Sequence, residues 1–194
     1  MPGRTVLEEM AVACAAAVRK ARGRCIFVGA VAVAIWGKVR ASQDIDVLLD
    51  IPEERLPIFV DALEHRGFVV SLEDLLDARR DHSHVTIRDP RTLDHWIDAK
   101  FVATDDERAQ IRAAEKVGPD HLPVSAPEET VAYKLLFGSP RDLEDALGIL
   151  EVSGDKMDEE RLGLWVRRLG VETKYRRLRS RHARQTKSPS VRRE

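Results

Sequence analysis

Residues 28–50 read VGAVAVAIWGKVRASQDIDVLLD, and this stretch decides the fold. Gly29 turns the chain out of a short apolar strand at 25–28 into a small helix over 30–36, which Gly37 closes. A basic loop with Arg40 and Ser42 follows, and residues 45–49 then form an aliphatic strand headed by Asp44 and Asp46. Side chains two apart on a strand leave the same face, so the two carboxylates project together, about 7 Å apart, while Ile45 and Val47 turn to a core. Two like charges so placed repel, and a hard cation removes the repulsion. Mg²⁺ takes one or two carboxylates and fills its octahedron with water and phosphate oxygens. Two such ions about 4 Å apart clamp the attacking and leaving oxygens of a phosphoryl displacement.

A third acid is available in LDHWIDAKF, residues 93–101. Asp98 sits mid-strand, with Ile97, Ala99 and Phe101 on the opposite face, and Asp94 lies nearer the end of the predicted strand 93–102. A carboxylate in an inner strand is costly without a cation or donor, and Asp98 is placed to take a proton from an attacking hydroxyl. Gly29 admits phosphate oxygens to the backbone, because a Cβ would block them. The helix that starts at Ala30 aims its positive end at the same place. Arg40 and Ser42 are within reach of a triphosphate. Further on, APEETVAYKLLFGSPRDLEDALGIL carries Lys134, a cation drawn close to apolar neighbours, then Arg141, Asp142 and Asp145. Taken alone, the Asp-x-Asp pair also fits the solvated mouth of a strand, and Asp142 a helix-capping acid. Glycine turn, basic loop and third acid in that order favour a phosphate site.

Around this stretch, Thr5 with Glu8 and Thr104 with Glu107 read as capping boxes that open helices to about residues 22 and 117. Ser125 with Glu128 opens a helix to 137, Ser139-Pro140 the next, and 158–169 a last one. Helices are also predicted over 52–65 and 72–79, and strands over 68–70 and 84–88. The class is α+β: a small mixed sheet flanked by helices, then a C-terminal helical region. The expected division is a core over 1–124, helices over 125–170 and a basic, disordered tail over 171–194. That tail holds nine Lys/Arg against two Glu, net +7, whereas the preceding 170 residues carry 23 basic and 31 acidic side chains, net −8. Such a tail attracts phosphate-rich partners.

Cys14 and Cys25 stand in apolar surroundings and read as buried thiols of a reducing compartment. No run of about 18 apolar residues exists, so no membrane span is expected. The acidic pair in MPGRTVLEEM replaces the apolar core of an export signal. A cytoplasmic location follows as the expectation.

The stretch Gly29-Ala30 through Arg40-x-Ser42-x-Asp44-Ile45-Asp46 resembles the signature of the nucleotidyltransferase superfamily, the polymerase-beta-like enzymes. With Ser125-x-Pro127-Glu128, Lys134 and Arg141-Asp142-x-x-Asp145, it looks most like the bacterial AbiEii-type abortive-infection toxins and their relatives, over roughly residues 25–150. The resemblance implies two Mg²⁺ ions and transfer of a nucleotidyl group from an NTP to a hydroxyl. Asp44, Asp46 and Asp98 would hold metal, and Asp98 would activate the acceptor. Gly29, Ala30, Arg40, Ser42 and Lys134 would line the nucleotide, and Lys134 and Asp142 would match the later catalytic motif. Implied partners are an NTP, an RNA acceptor such as tRNA reached through the basic tail, and a cognate antitoxin protein. Ala30 departs from the second Gly or Ser of the family, which favours the alternative of a non-catalytic nucleotide- or RNA-binding module. A small acceptor such as an aminoglycoside suits the acidic body. A zinc site from His82 and His84 with His95 or His121 is the weakest reading, because its spacing matches no closed site.

Overall fold

The alternating apolar and polar residues of three segments resolve into strands with one buried side and one more exposed side. The computed structural model describes residues 5–92 and 94–187. They form two compact units, one of residues up to Val31 with Arg40–Ala126, the other of Ala32–Val39 with Pro127 onward.

In the first unit, β1 (Arg24–Phe27), β2 (Asp44–Asp50), β3 (His84–Arg88), β4 (Trp96–Phe101), β5 (Glu115–Val117) and β6 (Leu122–Val124) make a six-stranded sheet in the order β3-β4-β2-β1-β6-β5. The sheet is mixed: β2 runs parallel to β4 and β1 to β6, and the other neighbours are antiparallel. Ile45, Val47 and Leu49 of β2, Val85 and Ile87 of β3, and Ile97, Ala99 and Phe101 of β4 are buried. The residues between them are partly or fully exposed. This alternation is what a sheet with one solvated face requires. Helices α1 (Val6–Lys20) and α4 (Leu72–Asp81) pack on the sheet, and α3 (Leu56–Glu64) touches both. The strand β1 leads through Val28 into α2 (Gly29–Trp36). Both expected capping boxes at the starts of α1 and α5 (Asp105–Arg112) are present. In the second box Glu107 also accepts from Lys100 Nζ at 2.7 Å and from the backbone N–H of Ala103 and Thr104. Burial alone would raise its carboxyl, but these three donors together hold it below the usual range.

Several expectations are corrected. Residues 68–70 form no strand; a single bridge joins Val69 to Arg88 on the outer side of β3. The strand around Asp98 begins at Trp96, which leaves Asp94 in a bend ahead of it. The helix from Thr104 stops at Arg112, because residues 115–117 enter a hairpin whose turn is built from Gly118 (φ +69°), Pro119, Asp120 and His121 (φ +50°). Ser125 Oγ accepts from Gln110 Nε2 at 3.0 Å, Glu128 Oε1 accepts from the Asp158 N–H, and α6 begins at Pro127.

The second unit comprises α6 (Pro127–Phe137), α7 (Pro140–Ser153), α8 (Glu159–Arg168) and α9 (Glu172–Lys187) with residues 32–39. Its core includes Val33, Val131, Leu135, Ile149, Leu162, Val166 and Leu178. The expected disordered tail is therefore corrected over 172–187, which are helical, with Tyr175 and Leu178 packed inward. Residues 188–194 lie outside the described residues. Glu129, fully buried on α6, accepts from Arg161 Nε and Nη2 of α8 at 2.9 and 2.8 Å. Burial pushes the Glu129 carboxyl up in spite of that partner.

Removing the cation alone leaves a buried carboxylate without its charge partner, so Arg161→Met is expected to cost about 3–5 kcal/mol. Arg161→Met with Glu129→Leu should recover most of that loss. Urea unfolding of the two variants tests this; a single-variant cost near zero would show that the pair does not hold α8 to α6.

Candidate active site

The site grows from the strand register. Parallel pairing sets Asp46 beside Asp98 and Asp44 beside Trp96. Neighbouring strands lie about 4.8 Å apart, so Asp46 and Asp98 stand side by side on the open face with Asp44 one pleat away. All three are partly exposed, and the buried Ile45, Val47, Ile97 and Ala99 anchor their strands from the other face. Ser42 Oγ donates to Asp44 Oδ1 at 2.7 Å. His84 Nδ1 lies 3.2 Å from Asp98 Oδ2, reaching it diagonally across the β3–β4 pair, in which Thr86 is the direct opposite of Asp98.

Gly29 completes this side. Its φ of +55° lies in the left-handed region, and a Cβ built there would stand 1.9 Å from Asp46 Oδ2. The Asp46 carboxylate therefore packs directly on the glycine backbone at the start of α2. The Val28 N–H donates to the Asp46 carbonyl oxygen at 3.0 Å and fixes the same junction through the main chain. Ala30 is buried in the first turn, whose backbone N–H groups lack helical acceptors. Arg40 lies in the connection to β2, with Nη1 3.5 Å from the Ala41 carbonyl oxygen.

The remaining expected residues form a second cluster, within the helical unit. Lys134, 9% exposed, places Nζ 2.8 Å from Asp142 Oδ1 and 2.9 Å from Asp145 Oδ2. Asp142 Oδ2 also accepts from Ser139 Oγ at 2.6 Å, closing the capping box of α7. Burial pushes the Asp142 carboxyl up, but the hydrogen bonds from Lys134 and Ser139 outweigh it and hold the group below the ordinary aspartate range. Asp145 as second partner of Lys134 follows from its place three residues after Asp142 on one helix face. His84 was legible only as a histidine on an exposed strand face, and its meeting with Asp98 depended on the register. Both thiols are buried, and burial pushes Cys25 up to about 12.

Among the described residues, no three His, Cys, Asp or Glu side chains converge on a ready metal cage. The zinc reading is corrected accordingly: His82 has φ +53° and lies outside β3, so it does not share a strand face with His84. For Mg²⁺ the donor set fits in another way. That ion uses one or two carboxylates with substrate phosphates and waters and seldom an all-protein cage. An adjacent Asp46 and Asp98, with Asp44 on the same side of the sheet, match this demand.

The mixed six-stranded sheet flanked by helices matches the nucleotidyltransferase fold, which solved structures share with this chain. The crystal structure of ANT(2'')-Ia in complex with adenylyl-2''-tobramycin matches with a TM-score of 0.56 at 15% identity, covering 88% of this chain and 99% of that one. The solution structure of the antibiotic-resistance factor ANT(2'')-Ia matches at 0.53 and 15%, covering 93% and 100%. An antigenic nucleotidyltransferase-like protein from Paracoccidioides brasiliensis matches at 0.54 and 14%, covering 91% and 92%. At these identities the likeness is one of fold. The chain matches no protein-family model and no curated protein.

Two outcomes are expected. Gly29→Ala should destabilise by more than the about 1–2 kcal/mol that a left-handed φ costs an alanine. Gly67→Ala, at φ +87° with nothing within 4 Å, should pay the backbone cost alone. Equal losses in denaturant unfolding would mean that Asp46 does not press on the turn. The lowered Asp142 carboxyl contributes stability that is fully present at neutral pH and is lost as pH falls through about 4 and below. The stability gap between unmodified protein and Asp142→Asn should therefore be about 1 kcal/mol or more at pH 7 and narrower at pH 3. A gap independent of pH would remove the ion pair with Lys134 as its source.

Proposed function

We propose that the protein is a Mg²⁺-dependent nucleotidyltransferase that moves an NMP from an NTP to a hydroxyl acceptor. The single observation carrying this reading is the register of Asp46 beside Asp98, with Asp44 on the same face and the Gly29 backbone against Asp46. Asp44, Asp46 and Asp98 would hold Mg²⁺, which when bound neutralises phosphate charge and polarises the phosphorus under attack. The rest is the work of the chain. The backbone N–H groups of Gly29 and Ala30 face phosphate oxygens, with Arg40 and Ser42 in the loop beside them. The Asp98 carboxylate takes the proton of the acceptor hydroxyl, and His84 holds that carboxylate in place. The acceptor oxygen bonds to the α-phosphorus, the bond to the β-phosphate oxygen breaks, and pyrophosphate leaves. Lys134 and Asp142 belong to the same reading as the later motif, with Lys134 serving the nucleotide.

The preferred acceptor is an RNA such as tRNA, in the manner of an AbiEii-type toxin held in check by an antitoxin protein. Support comes from the net +7 of residues 171–194, which suits a phosphate-rich partner. A second reading, a small acceptor of the aminoglycoside kind, is favoured by the fold shared with ANT(2'')-Ia, whose structure holds adenylyl-2''-tobramycin. Nucleotide or RNA binding without turnover remains the outcome that Ala30 would produce.

Incubation with Mg²⁺, each α-labelled NTP and total RNA should label RNA. Asp44→Asn, Asp46→Asn and Asp98→Asn should each lower transfer by about a thousandfold or more while leaving thermal unfolding within a few degrees. Label that persists in all three variants would overturn the assignment. Pyrophosphate release only with aminoglycosides would move the acceptor to the second reading. Metal-dependent NTP binding with no transfer in either arm would leave a binding module.

A further inference from the structure

Helix α9 carries Lys174, Arg176, Arg177, Arg179, Arg181 and Arg184, and the structure sorts them into two sets. Three fasten the helix to its neighbours. Lys174 Nζ donates to the carbonyl oxygens of Leu135 and Leu136 at the end of α6. Arg179 pairs with Glu159 of α8 at 2.8 Å, and Arg181 with Glu144 of α7 at 2.6 Å. Tyr175 and Leu178 face the core between these contacts. The other three, Arg176, Arg177 and Arg184, are exposed on the outward face and meet no carboxylate among the described residues. With Thr173, Ser180 and Gln185, and with Arg181, which lines the trough while pairing with Glu144, they fence a shallow trough along the helix. Arg177 and Arg184 stand about 10 Å apart by helical rise.

From this geometry we infer that the outward face of α9 is an RNA-docking surface that grips the phosphate backbone without reading sequence. The inference rests on the RNA-acceptor reading and names the part of the chain that recruits the acceptor. Its chemistry decides between polyanions and other partners. Arg, Ser, Thr and Gln are the side chains that contact phosphate and sugar. A protein partner would need apolar or aromatic anchors at the centre of the patch, and the trough is lined by none. An interfacial membrane helix would likewise need a second, apolar face free to insert, whereas the apolar side of α9 is engaged in the core. Leu178 and Tyr175, packed in the core, fix the rotation of the helix about its axis and so keep the row aligned, with the lysine and the two exposed ion pairs at its flanks.

The test uses the full chain, without NTP, and a fluorescent single-stranded RNA of about 20 nucleotides titrated between 50 and 300 mM salt. Arg176→Gln/Arg177→Gln/Arg184→Gln should weaken binding about tenfold or more at 100 mM salt and reduce the slope of log affinity against log salt by about two, from about 0.7 per lost phosphate contact. The charge-matched Lys20→Gln/Arg24→Gln/Arg80→Gln variant should bind within about twofold of the unmodified protein. The triple Arg→Lys variant should retain binding, which separates lost charge from lost folding. Unchanged affinity of the triple Gln variant, or an equal loss in the charge-matched control, overturns the inference. So does loss of sedimentation with phosphatidylserine vesicles in the Gln variant when no RNA is bound by the unmodified chain. Failure of the transferase reading is separable. RNA binding that depends on α9 but never yields labelled RNA removes the enzyme and keeps the surface; RNA labelling by the Gln variant at the unmodified rate keeps the enzyme and removes the surface.

Discussion

The seating of the Asp46 carboxylate on the backbone of Gly29 is the constraint on which the open face of the sheet depends. It needs a residue with φ near +55° and no Cβ, and both demands fall on one position. The main-chain bond from Val28 to the Asp46 carbonyl and the antiparallel pairing of Phe27 with Val47 lock β1, the turn and β2 into one rigid corner. From that corner the parallel register of β2 with β4 delivers Asp98 with no further device. A shift of one residue in the register would send the carboxylates to the covered face, where Ile45, Val47, Ile97 and Ala99 now pack, and burial of unpaired charge forbids it.

Charge is handled differently in different parts of the chain. Several buried or half-buried carboxylates meet a full cation: Glu107 meets Lys100, Glu129 meets Arg161, and Asp142 and Asp145 meet Lys134. On the open face, Asp44 is met by a hydroxyl and Asp98 by an imidazole. Partners of this kind orient a carboxylate through a hydrogen bond.

Much of this was legible in the sequence. Alternation alone identified Asp44, Asp46 and Asp98 as open-face residues, because the opposite positions are Ile, Val, Ala and Phe. Three caps, at Thr5, Thr104 and Ser139, were equally plain. What periodicity could not supply was long-range register: the side-by-side placement of Asp46 and Asp98 and the reach of His84 depend on pairings between distant segments. The β5–β6 hairpin was missed because the helical pattern after Thr104 runs on past Arg112, while Gly118-Pro119-Asp120 marks the turn that competes with it. The tail was misjudged because composition counts arginines and not spacing. Tyr175 and Leu178 lie one turn apart, and that short apolar stripe is enough to seat a helix when neighbouring elements offer it a core.

The margins of the sheet carry a consequence for handling the protein. On one border β3 is bridged by Val69 through bonds in both directions with Arg88. On the other, β5 is three residues long and begins Glu115-Lys116, paired to a strand that contains Pro123. Unpaired strand borders are templates for intermolecular pairing, and short, charged or covered ones resist it. The protein should therefore tolerate the high concentrations needed for crystallisation or NMR without sheet-to-sheet polymerisation.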